Sequence, residues 1–191
     1  MPLGKRFFSQ DAASLARALL GKHLVYGSLR GTIVETEAYL CRGDPGCHAY
    51  RGPTPRNEPM FGPGGHTYVY FIYGMYHCLN VVSGKAGDGE AVLIRAVEPL
   101  DGIALMQRRR KTRAIERLCS GPGKLTQAFG ITLRHNNLSL LDGPLRILDS
   151  RERPEILCGR RIGLSAGQDL ELRFVIKGNR FVSKMPHTPK K

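Results

Sequence analysis

The clearest sign of chemistry in this chain is a pair of glutamates two positions apart, in Val34-Glu35-Thr36-Glu37-Ala38-Tyr39. The stretch from Gly31 to Tyr39 reads as a strand. Thr, Ile, Val and Tyr suit a pleated, half-buried surface, and Gly31 punctuates the start. Strand alternation then puts Ile33, Glu35, Glu37 and Tyr39 on one face. Two carboxylates on a mostly apolar strand are costly unless they are hydrogen-bonded or paired. They read either as strand-end acids and partners of an arginine, or as acids held for proton transfer. Glu37, next to Tyr39, is the stronger candidate for the second role.

The arginine on offer is Arg95, the only charge in the apolar strand Ala91-Val92-Leu93-Ile94-Arg95-Ala96-Val97. A lone guanidinium there requires a carboxylate, and Glu37 or Glu35 is the obvious partner. Such a pair is either structural or a means of keeping a catalytic carboxylate ionised.

Aromatic residues concentrate in Tyr68-Val69-Tyr70-Phe71-Ile72-Tyr73-Gly74-Met75-Tyr76-His77-Cys78-Leu79-Asn80-Val81-Val82. Strand-like residues flank Gly74, which predicts a hairpin with its tip at Tyr73, Gly74 and Met75. Its tyrosines either fill core and rim or stack on bases and wedge between base pairs. Tyr73 favours the wedge, because a large ring at an exposed tip has no core to fill.

The surrounding elements must position these groups. Ala12 to Leu20 is expected to be an amphipathic helix, capped by Ser9 or Asp11 and stopped by Gly21. A strand His23–Tyr26 and a turn at Gly27-Ser28 precede the acidic strand. Residues 40–66 form a long loop rich in glycine and proline that holds His48, Arg51, Arg56 and His66. A loop of that length inside one domain is usually functional. Pro99 is expected to begin a helix through Leu105-Met106. That helix leads into Arg108-Arg109-Arg110-Lys111-Thr112-Arg113, which reads as a solvated face or a phosphate contact. Ser120-Gly121-Pro122-Gly123-Lys124 opens a further helix ending near Gly130, and its free N–H groups with Lys124 suit a phosphate. Asp142-Gly143, Arg160–Leu164 and Leu172–Ile176 are expected among closing sheet elements, and 185–191 as a mobile tail.

Composition narrows the class. The 191 residues read as a single domain over 1–191 with room for a core. No apolar run reaches the ~20 residues of a membrane span, and the N-terminus lacks the pattern of a signal peptide, so the expected location is the cytoplasm. Lys and Arg number 29 against 16 acids, a formal +13 with a pI near 9.9. That excess points first to a nucleic-acid backbone. An anionic membrane is the weaker alternative, because no basic amphipathic helix with an aromatic face is present. Five scattered cysteines fit neither a disulfide framework nor a zinc site.

An enzyme that acts on a base inside a duplex needs a wedge, aromatic walls, cationic grips and, for glycosidic cleavage, a carboxylate to activate water. The strand 31–39 has no lysine for a covalent amine route. The strings Val34–Tyr39, Thr54-Pro55-Arg56-Asn57, Tyr68–Tyr76, Leu93–Leu100 and Cys119-Ser120-Gly121-Pro122, in order from about residue 6 to 182, resemble the alkyladenine (3-methylpurine) DNA glycosylases. The chain is similar to a compact bacterial member without the long N-terminal extension of mammalian forms. The loop Cys41–Cys47 departs from the mammalian pattern between two pocket residues, which leaves the substrate range open.

The resemblance implies a mixed α/β domain with a curved antiparallel β-sheet, flanking helices and a protruding hairpin. It implies base excision repair without metal or redox cofactor: a monomer takes a damaged purine from double-stranded DNA at the nucleoid and leaves an abasic site. Glu37 matches the general base, and Arg95 the residue that helps hold the water. Tyr39, His48 and Tyr70 match the walls of the base pocket, and His48 also lends a backbone N–H. Asn80 matches the residue that excludes normal guanine. Tyr73 matches the intercalating residue, with Met75 and Tyr76 beside it on the DNA, and Lys124 a phosphate grip. Two rival readings remain. A non-catalytic nucleic-acid-binding module would bind DNA without releasing a base, and an RNA-binding accessory domain would prefer RNA.

Overall fold

The computed structural model describes residues 1–184. The expected tail over 185–191 lies outside the described residues. Eight antiparallel strands curl into a half-barrel, and among the described residues four α-helices accompany them. After the short α1 (Lys5–Phe8), α2 (Ala12–Leu19) begins where the Asp11 carboxylate accepts the Ser14 N–H at 2.9 Å. Its Ala12, Leu15, Ala16 and Leu19 are buried, and Gly21, at φ +83°, ends the turn. β1 (His23–Tyr26), β2 (Leu29–Tyr39), β3 (Thr67–Ile72), β4 (Tyr76–Ser83) and β5 (Glu90–Asp101) follow. Next come α3 (Ile103–Arg110), α4 (Pro122–Phe129), β6 (Leu145–Leu148), β7 (Ile156–Gly159) and β8 (Arg173–Ile176).

β2 is the spine of the sheet, whose order is β3-β4-β5-β2-β1-β6. Along one edge β2 pairs with β5 over most of its length. Along the other it pairs first with β1, and then, from Glu35 to Glu37, with β8. The acidic segment is therefore hydrogen-bonded on both sides and cannot reach water through its backbone. Helix α2 covers one face, where Thr36 donates its hydroxyl hydrogen bond to the Ala16 carbonyl at 2.9 Å and Ile33 and Ala38 join the main core.

Strand alternation does not survive intact. Ile33 pairs with Val97, Glu35 with Ala96 and Thr36 with Ile94, so Val34 is an extra residue on β2 and Arg95 an extra residue on β5. These two bulges offset each other. Ile33 consequently leaves the face expected for it and packs in the main core. Val34 instead packs with Ala96 and Phe181 on the side of the carboxylates. Arg95 is turned by its own bulge toward both glutamates.

Three further expectations are corrected. Gly31 lies inside β2 rather than at its start, because a Cβ there would sit 2.3 Å from Val97 Cγ1 and 2.6 Å from the Glu98 carbonyl oxygen. Pro99 begins no helix: it pairs with Gly31 in β5, beyond the last residue of β5 that β4 reaches, where its missing N–H costs nothing. α3 starts only after Gly102, at φ +74°. Arg160–Leu164 is a loop between β7 and β8. Its Ile162 N–H goes to a side-chain carboxylate instead of a strand ladder.

The long loop 40–66 is tied down by two buried side chains. Asn57 donates to the His48 and Gly52 carbonyls at 2.8 and 3.1 Å, and Asp44 accepts the Leu40 and Gly46 N–H groups at 3.1 and 3.0 Å. A chain with Gly31→Ala should lose about 1–3 kcal/mol of stability from overpacking against Val97 and Glu98. Urea unfolding would show this as a lower midpoint at an unchanged slope.

Candidate active site

The acidic face of β2 closes into a buried ionic cluster. Glu35 Oε1 accepts from Arg95 Nε at 3.0 Å and from Arg173 Nε at 2.7 Å. The Ser183 N–H and hydroxyl complete its shell at 2.7 and 2.9 Å. Glu37 Oε2 accepts from Arg95 Nη1 at 3.3 Å and from the Tyr39 hydroxyl at 2.9 Å, while its Oε1 accepts the Ile162 N–H at 2.8 Å. Two carboxylates thus meet two guanidiniums and several neutral donors, which offsets the cost of burying all four charges. Burial alone would push the Arg95 pKa down, but the Glu37 and Glu35 carboxylates outweigh it and raise it.

Beside this cluster opens a cavity of about 630 Å³, within the size range of small-molecule sites. Tyr39, His48, Tyr68 and Tyr70 form aromatic walls, with Asn80, Leu93 and Arg95 on β4 and β5. His48 and Tyr70 lie with ring centroids 4.7 Å apart and planes at 70°. Tyr68, which the sequence leaves between core and rim, is buried and hydrogen-bonds His48 Nδ1 through its hydroxyl at 3.0 Å. Asn80 is buried and anchored by donating to the Tyr68 carbonyl at 2.9 Å. Glu37 itself is wholly buried and forms no part of the cavity wall. Arg95, Tyr39 and Ile162 stand between it and the open space.

The aromatic walls are uncharged at neutral pH. Burial first, and the neighbouring Glu37 carboxylate second, raise the Tyr39 pKa, so its hydroxyl remains a donor to that carboxylate. Burial likewise raises Tyr70 and pushes Tyr68 up to about 12. The His48 ring opens onto the cavity, yet protein packed around its other sides desolvates it. That burial, with the Arg56 charge, lowers its pKa from 6.5 and leaves it neutral.

At the mouth stands the hairpin of β3 and β4. Its tip carries Tyr73 at φ +52° and Gly74 at φ +66°. Tyr73 is 75% exposed and Met75 65% exposed. An aromatic residue held in the left-handed region without packing is strained, and such strain clusters at binding sites. Tyr76 lies against the start of α4, where a Cβ on Gly123 would come within 2.9 Å of its ring. Lys124 projects from the first turn of that helix onto the cavity rim.

Of the residues singled out in the sequence, Arg95, Tyr39, His48, Tyr70, Asn80, Tyr73, Tyr76 and Lys124 all border this one cavity. Met75 does not: it faces a second groove across the hairpin, with Arg109 and Gln127. The basic run divides. Arg109 and Arg110 donate to the Ala128 and Leu118 carbonyls, while Arg108, Lys111 and Arg113 face solvent. Sequence reasoning missed Arg173, Ser183, Ile162 and the buried Asp44–Arg161 pair. All five lie far along the chain from the groups they hold or on loops without periodicity. An arginine in the apolar Leu172–Ile176 run was the one signal that could have found Arg173.

Comparison with known proteins places the chain. Residues 6–180 match the family model described as methylpurine-DNA glycosylase. A provisionally named 3-methyladenine DNA glycosylase of Methanoculleus marisnigri is 51% identical, covering 96% of this chain and 100% of the relative. One of the same name from Carboxydothermus hydrogenoformans is 48% identical over 96% of this chain and 100% of its own. Another from Agrobacterium fabrum is 48% identical over 93% and 90% respectively.

The ionic cluster separates the two glutamates by what each holds. A chain with Glu35→Gln would leave Arg95 and Arg173 short of a buried counter-charge, at a cost of about 3–5 kcal/mol. Thermal unfolding should show a large fall in Tm, and a loss under about 1 kcal/mol would contradict the anchoring role.

Proposed function

The chain belongs to the methylpurine-DNA glycosylase family, enzymes that hydrolyse N-glycosyl bonds in DNA, and on that premise we propose how its cavity performs the reaction. The substrate is duplex DNA carrying an alkylated purine, with deaminated or etheno purines as further candidates, and a single copy of the chain acts on it. The observation that carries the reading is a buried carboxylate set behind an aromatic cavity whose mouth bears an exposed, strained tyrosine.

In this reading Tyr73 enters the duplex and fills the space left by the damaged nucleotide. Met75 and Tyr76 support the neighbouring stack, and Lys124 meets a phosphate at the start of α4. The extruded purine lies between Tyr39 on one side and His48 and Tyr70 on the other. Electron-rich rings favour a purine made cationic by alkylation. A neutral His48 adds no repulsion to that charge. Asn80, held rigid by the Tyr68 carbonyl, meets the base edge and rejects the extra amino group of guanine.

Chemistry follows at the sugar. A water admitted beside Arg95 gives a proton to Glu37 as its oxygen bonds to C1′. The C1′–N bond breaks, its electron pair leaves with the purine, and an abasic site remains. A cationic purine is neutralised by that electron pair, so it departs without prior protonation. A neutral purine needs more help from the site. Arg95 pairs with Glu37 and is the one member of that carboxylate's shell whose side chain reaches both the carboxylate and the cavity wall without being part of the stack.

One observation favours a purely binding role: both Glu37 oxygens are already occupied, by Arg95, Tyr39 and the Ile162 amide. Base release separates the readings. Wild type is expected to free 3-methyladenine, hypoxanthine or ethenoadenine from short duplexes. Loss of a general base typically costs about 10²–10⁴-fold, so Glu37→Gln should bind DNA while releasing base that much more slowly. Equal binding with no release by either form would leave a DNA-binding domain. Tyr73→Ala should slow release from duplex lesions at least about tenfold, because unstacking costs a few kcal/mol, and spare an already unpaired lesion. Unchanged duplex activity would remove Tyr73 from the wedge role.

A further inference from the structure

Behind the stacking wall lies a second ion pair that the reaction as derived does not use. Arg161 and Asp44 meet through two parallel bonds, Nη1 to Oδ2 at 2.6 Å and Nη2 to Oδ1 at 2.5 Å, and neither side chain touches solvent. Arg161 Nη1 also donates to the Ala38 carbonyl at 3.0 Å, between Glu37 and Tyr39 on β2. Nη2 also donates to the Gly167 carbonyl at 3.2 Å, which closes the loop 162–166 bordering the cavity. Asp44 in turn holds the Leu40 and Gly46 N–H groups at the base of the loop that carries His48. Glycine makes this approach possible: a Cβ on Gly46 would lie 2.8 Å from the Ala166 oxygen, and one on Gly167 2.9 Å from Asp44 Oδ1.

The guanidinium carbon lies 4.6 Å from the centroid of the Tyr39 ring. Tyr39 borders the cavity and Arg161 does not, so the cation covers the ring from the protein side. Arg161 Nε has no hydrogen-bond partner among the described residues. A buried donor left unpaired is costly, and the ring's π-face is the favourable surface for the cation that bears it. The residue after Arg161 is Ile162, whose N–H binds Glu37. One guanidinium thus joins the stacking wall, the carboxylate's amide partner, the cavity rim and the His48 loop.

We propose that Arg161, clamped by Asp44, is a positioning residue that sets the preference of the base pocket between neutral and positively charged purines, acting through the Tyr39 ring and the Ile162 amide. This rests on the glycosylase reading above. Two physical effects push the same way. A cation behind Tyr39 draws electron density from the ring and weakens its hold on a cationic base on the open face, while leaving a neutral base unaffected. A neutral purine is also the poorer leaving group, so its release depends more on an exact fit between ring, amide and carboxylate. Disturbing the clamp therefore harms neutral lesions more than cationic ones.

The test is single-turnover base release from duplexes carrying 3-methyladenine, a cationic nucleoside, or hypoxanthine, a neutral one, neither of which bears the amino group that Asn80 rejects. Wild type, Arg161→Lys and the doubly neutral Asp44→Asn/Arg161→Gln chain are compared at saturating enzyme. Arg161→Lys keeps the charge and loses the fork; the double variant loses both charges and leaves none unpaired. Circular dichroism and binding to an abasic duplex establish that each variant is folded. The ratio of 3-methyladenine to hypoxanthine release should rise about tenfold in folded variants, within the loss of up to about 10²-fold that a small misplacement near reacting atoms can cause. A loss of stability alone would lower both rates by one factor and leave the ratio where it was. An unchanged ratio in any folded variant overturns the proposal. If neither of these variants folds, Asp44→Asn alone, which retains the guanidinium over Tyr39, carries the same comparison. Wild type inert on both lesions would instead overturn the glycosylase reading itself.

Discussion

The structure depends on finding partners for two carboxylates that its central strand buries. Glu35 and Glu37 are fully buried on the central strand, where an unpaired charge would cost several kcal/mol. Their partners determine how distant parts of the chain must meet. Arg95 comes from β5, Arg173 from β8, Ser183 from the segment after β8, and Ile162 from the loop before it. Much of the second half of the chain is therefore held against β2 by charge, and the apolar packing of Phe181 on Val34 and Ala96 seals the same place. Removing the acids would leave those elements with little reason to adopt this register.

The paired bulges show how a sheet can serve both packing and chemistry. In an unbroken β2, Ile33 would share a face with the glutamates and would be lost to the core under α2. The extra Val34 returns Ile33 to that core, and the extra Arg95 aims a guanidinium at both carboxylates. A bulge costs ladder hydrogen bonds and adds local twist, and twist is what curls a sheet into a half-barrel. The same irregularity that positions the charges thus helps form the concave side on which the cavity lies.

Much of this was legible in the sequence, for identifiable reasons. Local patterns carried the helix from Ala12, with Asp11 as one of two candidate caps, the acidic strand and the hairpin tip, because each is decided by residues within a few positions of one another. The pairing of Arg95 with the glutamates was legible as a requirement of charge, without its bulge. What the sequence hid is what depends on long-range contact. Pro99 looks like a helix start until its place opposite Gly31 is known. Arg161 looks like a strand residue until Asp44, 117 positions away, is found beside it. Ser183 has no pattern at all, and its role arises only from where β8 leaves the chain.

The two glutamates also differ in what holds them. Glu35 accepts from two guanidiniums, an amide and a hydroxyl, and of these donors only Arg95 borders the cavity. Nothing in that arrangement leaves room for a substrate to compete. Glu37 is held more lightly, by the longer of the two Arg95 contacts, one phenol and one amide. Each of these three donors belongs to a residue that also borders the cavity. In the proposed reaction a base entering against Tyr39, or a water entering beside Arg95, would meet the partners of Glu37 before the carboxylate itself. On the proposed reading, the sheet keeps one acid fully satisfied while its neighbour, paired to the same arginine, has partners within reach of the substrate.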